Sequence, residues 1–135
     1  MTDAQRDANE AAVRAYAEAW ERGDAATLVG LYSDGFTLHY FGRSPLAGDH
    51  AGKAAALATL AKVQQLTNRK LVEVHDVLAG AGHGAVMAKE RWEREGKTLD
   101  VQRVLVYHVR DGLLDECWIF DDDQRAVDEF WSAEG

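Results

Sequence analysis

The order of segments along the chain predicts an α+β fold. Segments with helical periodicity occupy the first half, to about Leu66, and runs rich in branched and aromatic residues occupy the second. The turns Glu95-Gly96-Lys97 and Asp111-Gly112 join three of those later runs as hairpins, which makes the sheet antiparallel. A short amphipathic stretch after Asp123 adds a closing helix. Helices first and a hairpin-linked sheet after is the α+β pattern.

Each element has its own signal. Thr2 with Gln5 forms a capping box for a first helix, whose apolar face is Val13, Tyr16, Ala17 and Trp20, and Gly23 stops it. Asp24 caps a short second helix with Leu28, Leu31 and Tyr32 on its buried side. Ser33-Asp34-Gly35 reads as a turn and residues 36–41 as a strand. The stretch 42–48, with Pro45, reads as an irregular loop. Asp49 then caps a third helix with Leu57, Leu60 and Ala61 as its core stripe. Strands follow at 71–78, 86–94, 99–109 and 113–120, and a final helix buries Val127, Phe130 and Trp131. No repeat, low-complexity tract or linker interrupts residues 1–135, which are expected to form a single domain.

Composition narrows the function classes. Hydrophobic residues make up 47% of the 135 and there is one proline, enough for a real core. Against 23 acidic residues stand 15 basic ones, net −8, with no basic stripe to release counterions, so nucleic acid is excluded as a partner. No apolar run nears the ~20 residues of a membrane span. The polar start MTDAQRDANEAA has no signal-peptide pattern, and a single Cys117 fits a reducing compartment, so the expected location is cytoplasmic. The histidines His39, His50, His75, His83 and His108 show no metal-ligand spacing, and Gly80-Ala81-Gly82-His83-Gly84 lacks the following helix of a phosphate loop. Neither metal nor other cofactor is expected.

Strand parity builds a candidate pocket. With Tyr40 facing inward, Leu38 does too and His39 faces away. On the long strand Val101, Arg103, Leu105 and Tyr107 share a face; on its neighbours Glu90 with Trp92, and Glu116 with Trp118 and Phe120, are the matching sets. This parity leaves Cys117 on the outer face and makes Asp121 to Asp123 a helix N-terminus. An unpaired charge in an aromatic wall is expensive, so Glu90, Arg103 and Glu116 should pair with one another or with a ligand. A structural cross-strand ion pair and a functional group both fit Glu90 and Arg103. Val104 and Val106, with Cys117 and Ile119, make the outer face apolar too, which predicts a homodimer through that face.

The segment VRAYAEAWERGDAATLVGLYSDGFTLHYFG at 13–42 resembles the nuclear-transport-factor-2-like superfamily, which includes ketosteroid isomerases and SnoaL-type polyketide cyclases. The resemblance implies a cone-shaped, cystatin-like sheet wrapped around the N-terminal helices. In ketosteroid isomerases an oxyanion-hole Tyr stands eight residues before the Asp of the Gly-Asp corner, and Tyr16 stands so before Asp24. Eight residues after Tyr32, where that family has its Asp base, this chain has Tyr40, and Arg103 falls where the second oxyanion donor stands. The segments 42–49, 73–77, 98–101 and Cys117-Trp118-Ile119-Phe120 with Asp123-Gln124 are similar to SnoaL-like proteins. Limonene-type epoxide hydrolases of the same superfamily use an Asp–Arg–Asp group, though their local sequence does not match here.

Together these readings give Tyr16, Glu90, Arg103 and Glu116 as candidate catalytic residues. Trp20, Leu38, Tyr40, Trp92, Leu105, Tyr107, Trp118 and Phe120 are the candidate pocket walls. The expected function is cofactor-free acid–base chemistry (isomerisation, cyclisation or hydrolysis) on a hydrophobic carbonyl, polyketide or terpenoid-like molecule. A non-catalytic binding or accessory protein on the same fold is the alternative.

Overall fold

In the computed structural model, which describes residues 3–44 and 46–131, four helices pack on a curved, unclosed sheet of six strands. Helix α1 (Asp3–Arg22) leads into α2 (Ala25–Leu31), strand β1 (Tyr32–Tyr40), the short β2 (Gly48–His50) and α3 (Lys53–Thr67). Strands β3 (Lys70–Ala79), β4 (His83–Arg94), β5 (Lys97–Arg110) and β6 (Leu113–Asp121) follow, then α4 (Gln124–Trp131). The sheet order is β2-β1-β6-β5-β4-β3. All neighbours are antiparallel except β1 and β6, which run parallel because the chain returns to β1 only after traversing the other strands.

Local chemistry explains the helix ends. Gly23 takes a φ of 67°, and the Gly23 and Asp24 N–H groups close α1 on the carbonyls of Trp20 and Ala19. Asp24 caps α2 as expected, accepting from the Thr27 N–H at 3.2 Å. Asp123 does the same for α4 through the Ala126 N–H. The capping box involving Thr2 lies outside the described residues. Asp49 does not cap α3: it sits in β2, opposite His39, and the helix opens after Gly52 instead.

α3 is also rotated from the expected stripe. Ala56, Thr59, Val63 and Thr67 face the core, Leu57 and Leu60 are half-buried, and Ala61 is exposed. Small residues let the helix approach the sheet closely. The two buried threonines satisfy their hydroxyls on the Ala55 and Val63 carbonyls of the preceding turn.

α1 lies closest to the sheet. A Cβ on Gly84 would stand 2.6 Å from Val13, so only glycine fits under the helix there. The amide of buried Asn9 donates to the carbonyls of Gly80 and Ala81, at 2.9 and 2.8 Å, and ties the β3–β4 turn to the helix. The turns at Glu95-Gly96 and Asp111-Gly112 have positive φ at both positions, as tight hairpin turns between twisted strands require.

Three irregularities break the alternation of the strands. β3 shifts register twice against β4, and its inward residues Leu71, Val74 and Val77 recur every third position. Ser33-Asp34-Gly35, expected as a turn, lies within β1, where pairing with β6 jumps from Tyr32↔Leu114 to Thr37↔Glu116. β6 bulges at Asp115, between the pairs Val109↔Leu114 and His108↔Glu116. Asp115 is held there by Ser33, Arg110 and His108.

The bulge in β6 decides which residues face the core. One extra residue exchanges the two faces of a strand. Leu114, Cys117 and Ile119 therefore point inward, and Glu116, Trp118 and Phe120 point outward, the reverse of the expectation from an unbroken hairpin. Cys117 and Ile119 thus leave the outer face. Val104 and Val106 remain on it, half-buried, beside Trp118 and exposed Met87 and Phe120.

Candidate functional site

Two polar clusters are buried beneath the helices. The first is aromatic. Tyr16 from α1, Tyr32 from the start of β1 and Tyr107 from β5 converge, with ring centroids 6.0 Å (Tyr16–Tyr32) and 5.0 Å (Tyr16–Tyr107) apart. The Tyr32 hydroxyl donates to the Tyr16 oxygen at 3.3 Å, which leaves the Tyr16 proton as a donor. Burial raises the Tyr16 pKa above its ordinary value, and the hydroxyls of Tyr107 and Tyr32 and the charge of Arg69 work the other way. Burial pushes Tyr32 and Tyr107 well above the phenol range. Cys117 beside them is driven by burial up to about 12, so it stays a thiol.

A cavity of ≈ 10 Å³ lies against these phenols, room for about one water. Of the expected wall, Tyr16, Trp20, Leu38, Leu105 and Tyr107 line it. Tyr32, Cys117 and Arg69 line it as well. Arg69 follows Asn68, whose left-handed conformation ends α3 and turns the chain into β3.

The second cluster is ionic and solidly packed. The Arg103 side chain is fully buried and binds Asp121 with two N–H donors, Nε at 2.6 Å and Nη2 at 3.1 Å. Nη1 donates to Glu90 Oε1 at 3.4 Å and Nη2 to the Tyr40 hydroxyl at 3.4 Å. The guanidinium lies 4.7 Å from the Trp92 ring centroid, and the Trp92 indole N–H donates to Glu90 at 2.8 Å. Burial disfavours the Arg103 charge, but Tyr40, Glu90 and Asp121 more than restore it, so the group is held protonated. Glu90 Oε2 is buried and without a hydrogen-bond partner.

The expected pairing of Glu90, Arg103 and Glu116 is therefore corrected at its third member. Asp121 faces Arg103 across the β5–β6 pairing, and Glu116 is on the opposite face. There Glu116 contacts Nε2 of His39, whose Nδ1 lies 2.7 Å from Asp49, while the imidazole stacks on Trp118. Burial works against the His39 cation, but Asp49 and Glu116 outweigh it and raise its pKa. Phe120 stacks on Phe41 at the surface. The expected site is thus divided: Tyr16 opens on the cavity, Glu90, Arg103, Tyr40 and Trp92 form the packed cluster behind it, and Glu116, Trp118 and Phe120 lie outside.

Sequence reasoning missed Asp121 and Arg69. The first was detectable in principle: Leu114 and Cys117 are three apart, the spacing a bulge leaves between inward residues. Arg69 follows a helix end and belongs to no periodic pattern. Among the described residues no three of His, Cys, Asp and Glu converge as a metal site would need, and no helix is long and apolar enough to cross a membrane.

The SnoaL-like domain matches residues 13–117. The chain belongs to the SnoaL-like family. No curated protein matches it. Among solved structures, Bal32a from a soil-derived mobile gene cassette is 31% identical, with 94% of this chain and 98% of that one covered and a TM-score of 0.85. A cystatin-like-fold protein from Xanthomonas campestris is 27% identical over 89% of this chain and 95% of its own, TM-score 0.82. At 16% identity, RV0760c from Mycobacterium tuberculosis, solved in complex with estradiol-17beta-hemisuccinate, shares the fold: 84% of this chain and 92% of that one are covered, TM-score 0.67. This SnoaL-like chain therefore has the nuclear-transport-factor-2-like architecture, with Tyr16 on its first helix and Arg103 on its long strand.

Proposed function

We propose that this SnoaL-like chain is a small-molecule pocket protein, acting as one domain, that polarises an oxygen of a hydrophobic ligand. The observation that carries the reading is the phenol cluster: Tyr16 accepts from Tyr32 and keeps its own proton available beside the cavity. A donor fixed in a dry, aromatic setting stabilises charge developing on a carbonyl oxygen without reorganising. That suits cofactor-free isomerisation, cyclisation or hydrolysis of a carbonyl, polyketide or terpenoid-like molecule, for which the ≈ 10 Å³ cavity must widen. The complex of RV0760c with a steroid ester is in keeping with such a ligand class. Glu90 is the candidate base: one of its oxygens is uncommitted, although it is buried behind the cavity wall and reaches a ligand only if the packed cluster opens toward the cavity. A non-catalytic binding protein is the second reading, favoured by a cavity wall that contains no carboxylate among its described residues.

Binding and turnover of enones, epoxides and cyclic ketones separate the two. Tyr16→Phe is expected to weaken binding of phenolate oxyanion mimics by roughly 1–3 kcal/mol, one hydrogen bond to charge. Glu90→Gln should abolish turnover, whereas Glu116→Gln, on the outer face, should change neither turnover nor binding. Equal phenolate binding by wild type and Tyr16→Phe removes the oxyanion role. Absence of turnover across the panel, with ligand still bound, moves the binding-protein reading to the front. The apolar outer face around Val104, Val106, Trp118 and Phe120 supports a homodimer, and a monomer in light scattering at micromolar concentration would refute it.

A further inference from the structure

The cavity has one charged side chain among its described lining residues, and it is a cation. Arg69 is held there at 17% side-chain exposure in a chain whose net charge is −8. Its nearest counter-charge, Glu90 Oε1, is 3.8 Å from Nε, too far for a hydrogen bond. That oxygen is already taken by the Trp92 indole at 2.8 Å and by Arg103 at 3.4 Å. Glu90 therefore orients Arg69 without saturating it. A guanidinium presents its donors as a planar fork that matches a carboxylate or an enolate oxygen. Tyr16, whose proton is also available, lines the same space.

We infer that the ligand of this cavity is an acid bound as its anion, with the anionic group on Arg69 and Tyr16 and its hydrophobic body against the aromatic wall. This rests on the pocket reading above and adds the charge of the ligand to it. Arg69 keeps some contact with solvent, so a neutral ligand of the same shape would leave its donors to water, whereas an anion meets them with charge. The opposing burial and charge effects on Tyr16 fit the same picture, since Arg69 already favours negative charge at that position. The cavity as it stands holds about one water, so an acid of any size needs it to widen, and Trp20 is the residue it shares with an open groove of ≈ 470 Å³ along Gly23 and Lys70.

The test pairs acids with neutral isosteres of equal shape: benzoate, 2-naphthoate and 2-anthroate against the corresponding methyl ketones, at pH 8, by calorimetry and Trp fluorescence. Wild type should prefer the best acid over its ketone by roughly ten- to a hundredfold, the worth of one charge-assisted hydrogen bond. Arg69→Gln should erase that preference while ketone binding persists, and Arg69→Lys should restore part of it; circular dichroism confirms that both variants are folded. Ketones bound as tightly as acids by wild type, or an acid preference that survives Arg69→Gln, would overturn the inference and leave the pocket reading intact. Failure of every acid and ketone to bind would overturn both.

Discussion

Replacing Arg103 by Met should destabilise the fold strongly. Methionine has nearly the length of the arginine stem but removes four hydrogen bonds: two to Asp121, one to Glu90 and one to Tyr40. Two carboxylates with side-chain exposures of 3% and 0% then remain with no counter-charge beyond Arg69 at 3.8 Å. Breaking a buried pair from one side costs about 3–5 kcal/mol, because the stranded charge has lost its solvent as well as its partner. At roughly 3 °C per kcal/mol for a chain of this size, the melting temperature should fall by about 10–15 °C. Urea unfolding followed by Trp fluorescence measures the loss directly. The triple variant Glu90→Gln, Arg103→Met, Asp121→Asn should recover much of the loss, as polar neutral groups do not carry the desolvation penalty of ions. A loss below about 1 kcal/mol in the single variant would refute the reasoning, for that is what a solvated ion pair is worth.

Two other features give equally direct expectations. His39, between Asp49 and Glu116, has a raised folded-state pKa, so its contribution to stability is full below about 6.5 and fades as pH rises through the folded value. NMR titration should place it above the ordinary histidine value, and Glu116→Gln should lower it; the stability gap to His39→Asn should be wider at pH 5.5 than at pH 8.5, and an equal gap would count against the assignment. Cys117, with its pKa pushed to about 12, should label with thiol reagents in the native protein about a thousandfold more slowly than in urea at pH 8. Comparable rates would show that the thiol is not buried.

Much of the fold was legible because its signals are local. Helix stops at Gly23, caps at Asp24 and Asp123, and the two tight turns each depend on the chemistry of a few adjacent residues. The faces of β4 and β5 followed from strict alternation, which is why Glu90, Trp92, Arg103 and Tyr107 all proved to be buried. The wall contributed by β6 was misread because alternation is only as good as its phase. A bulge is stabilised by partners remote in sequence, here Ser33 on the neighbouring strand β1, and no window on β6 alone contains them. Asp49 illustrates the same limit. Its cap chemistry is real, but pairing with β1 and a contact to His39 claimed the residue first. Arg69 became visible only through geometry, since its role depends on what Glu90 has already bound.

The grip of Asn9 on the β3–β4 turn has a mechanical consequence. With Asn9 bound to two carbonyls and Val13 seated on Gly84, the early part of α1 is fixed to the sheet, while its far end carries the half-buried Trp20. Taken as a rigid rod tilting at its Asn9 anchor, the helix would act as a lever about that point. At 1.5 Å rise per residue, Tyr16 sits about 10 Å and Trp20 about 16 Å from that point, so a tilt of about 10° shifts them by roughly 2 and 3 Å. Any opening that tilts α1 therefore displaces the outer tryptophan more than the inner phenol. Where Asn9 holds the helix thus sets how far a given tilt would carry each of the two rings.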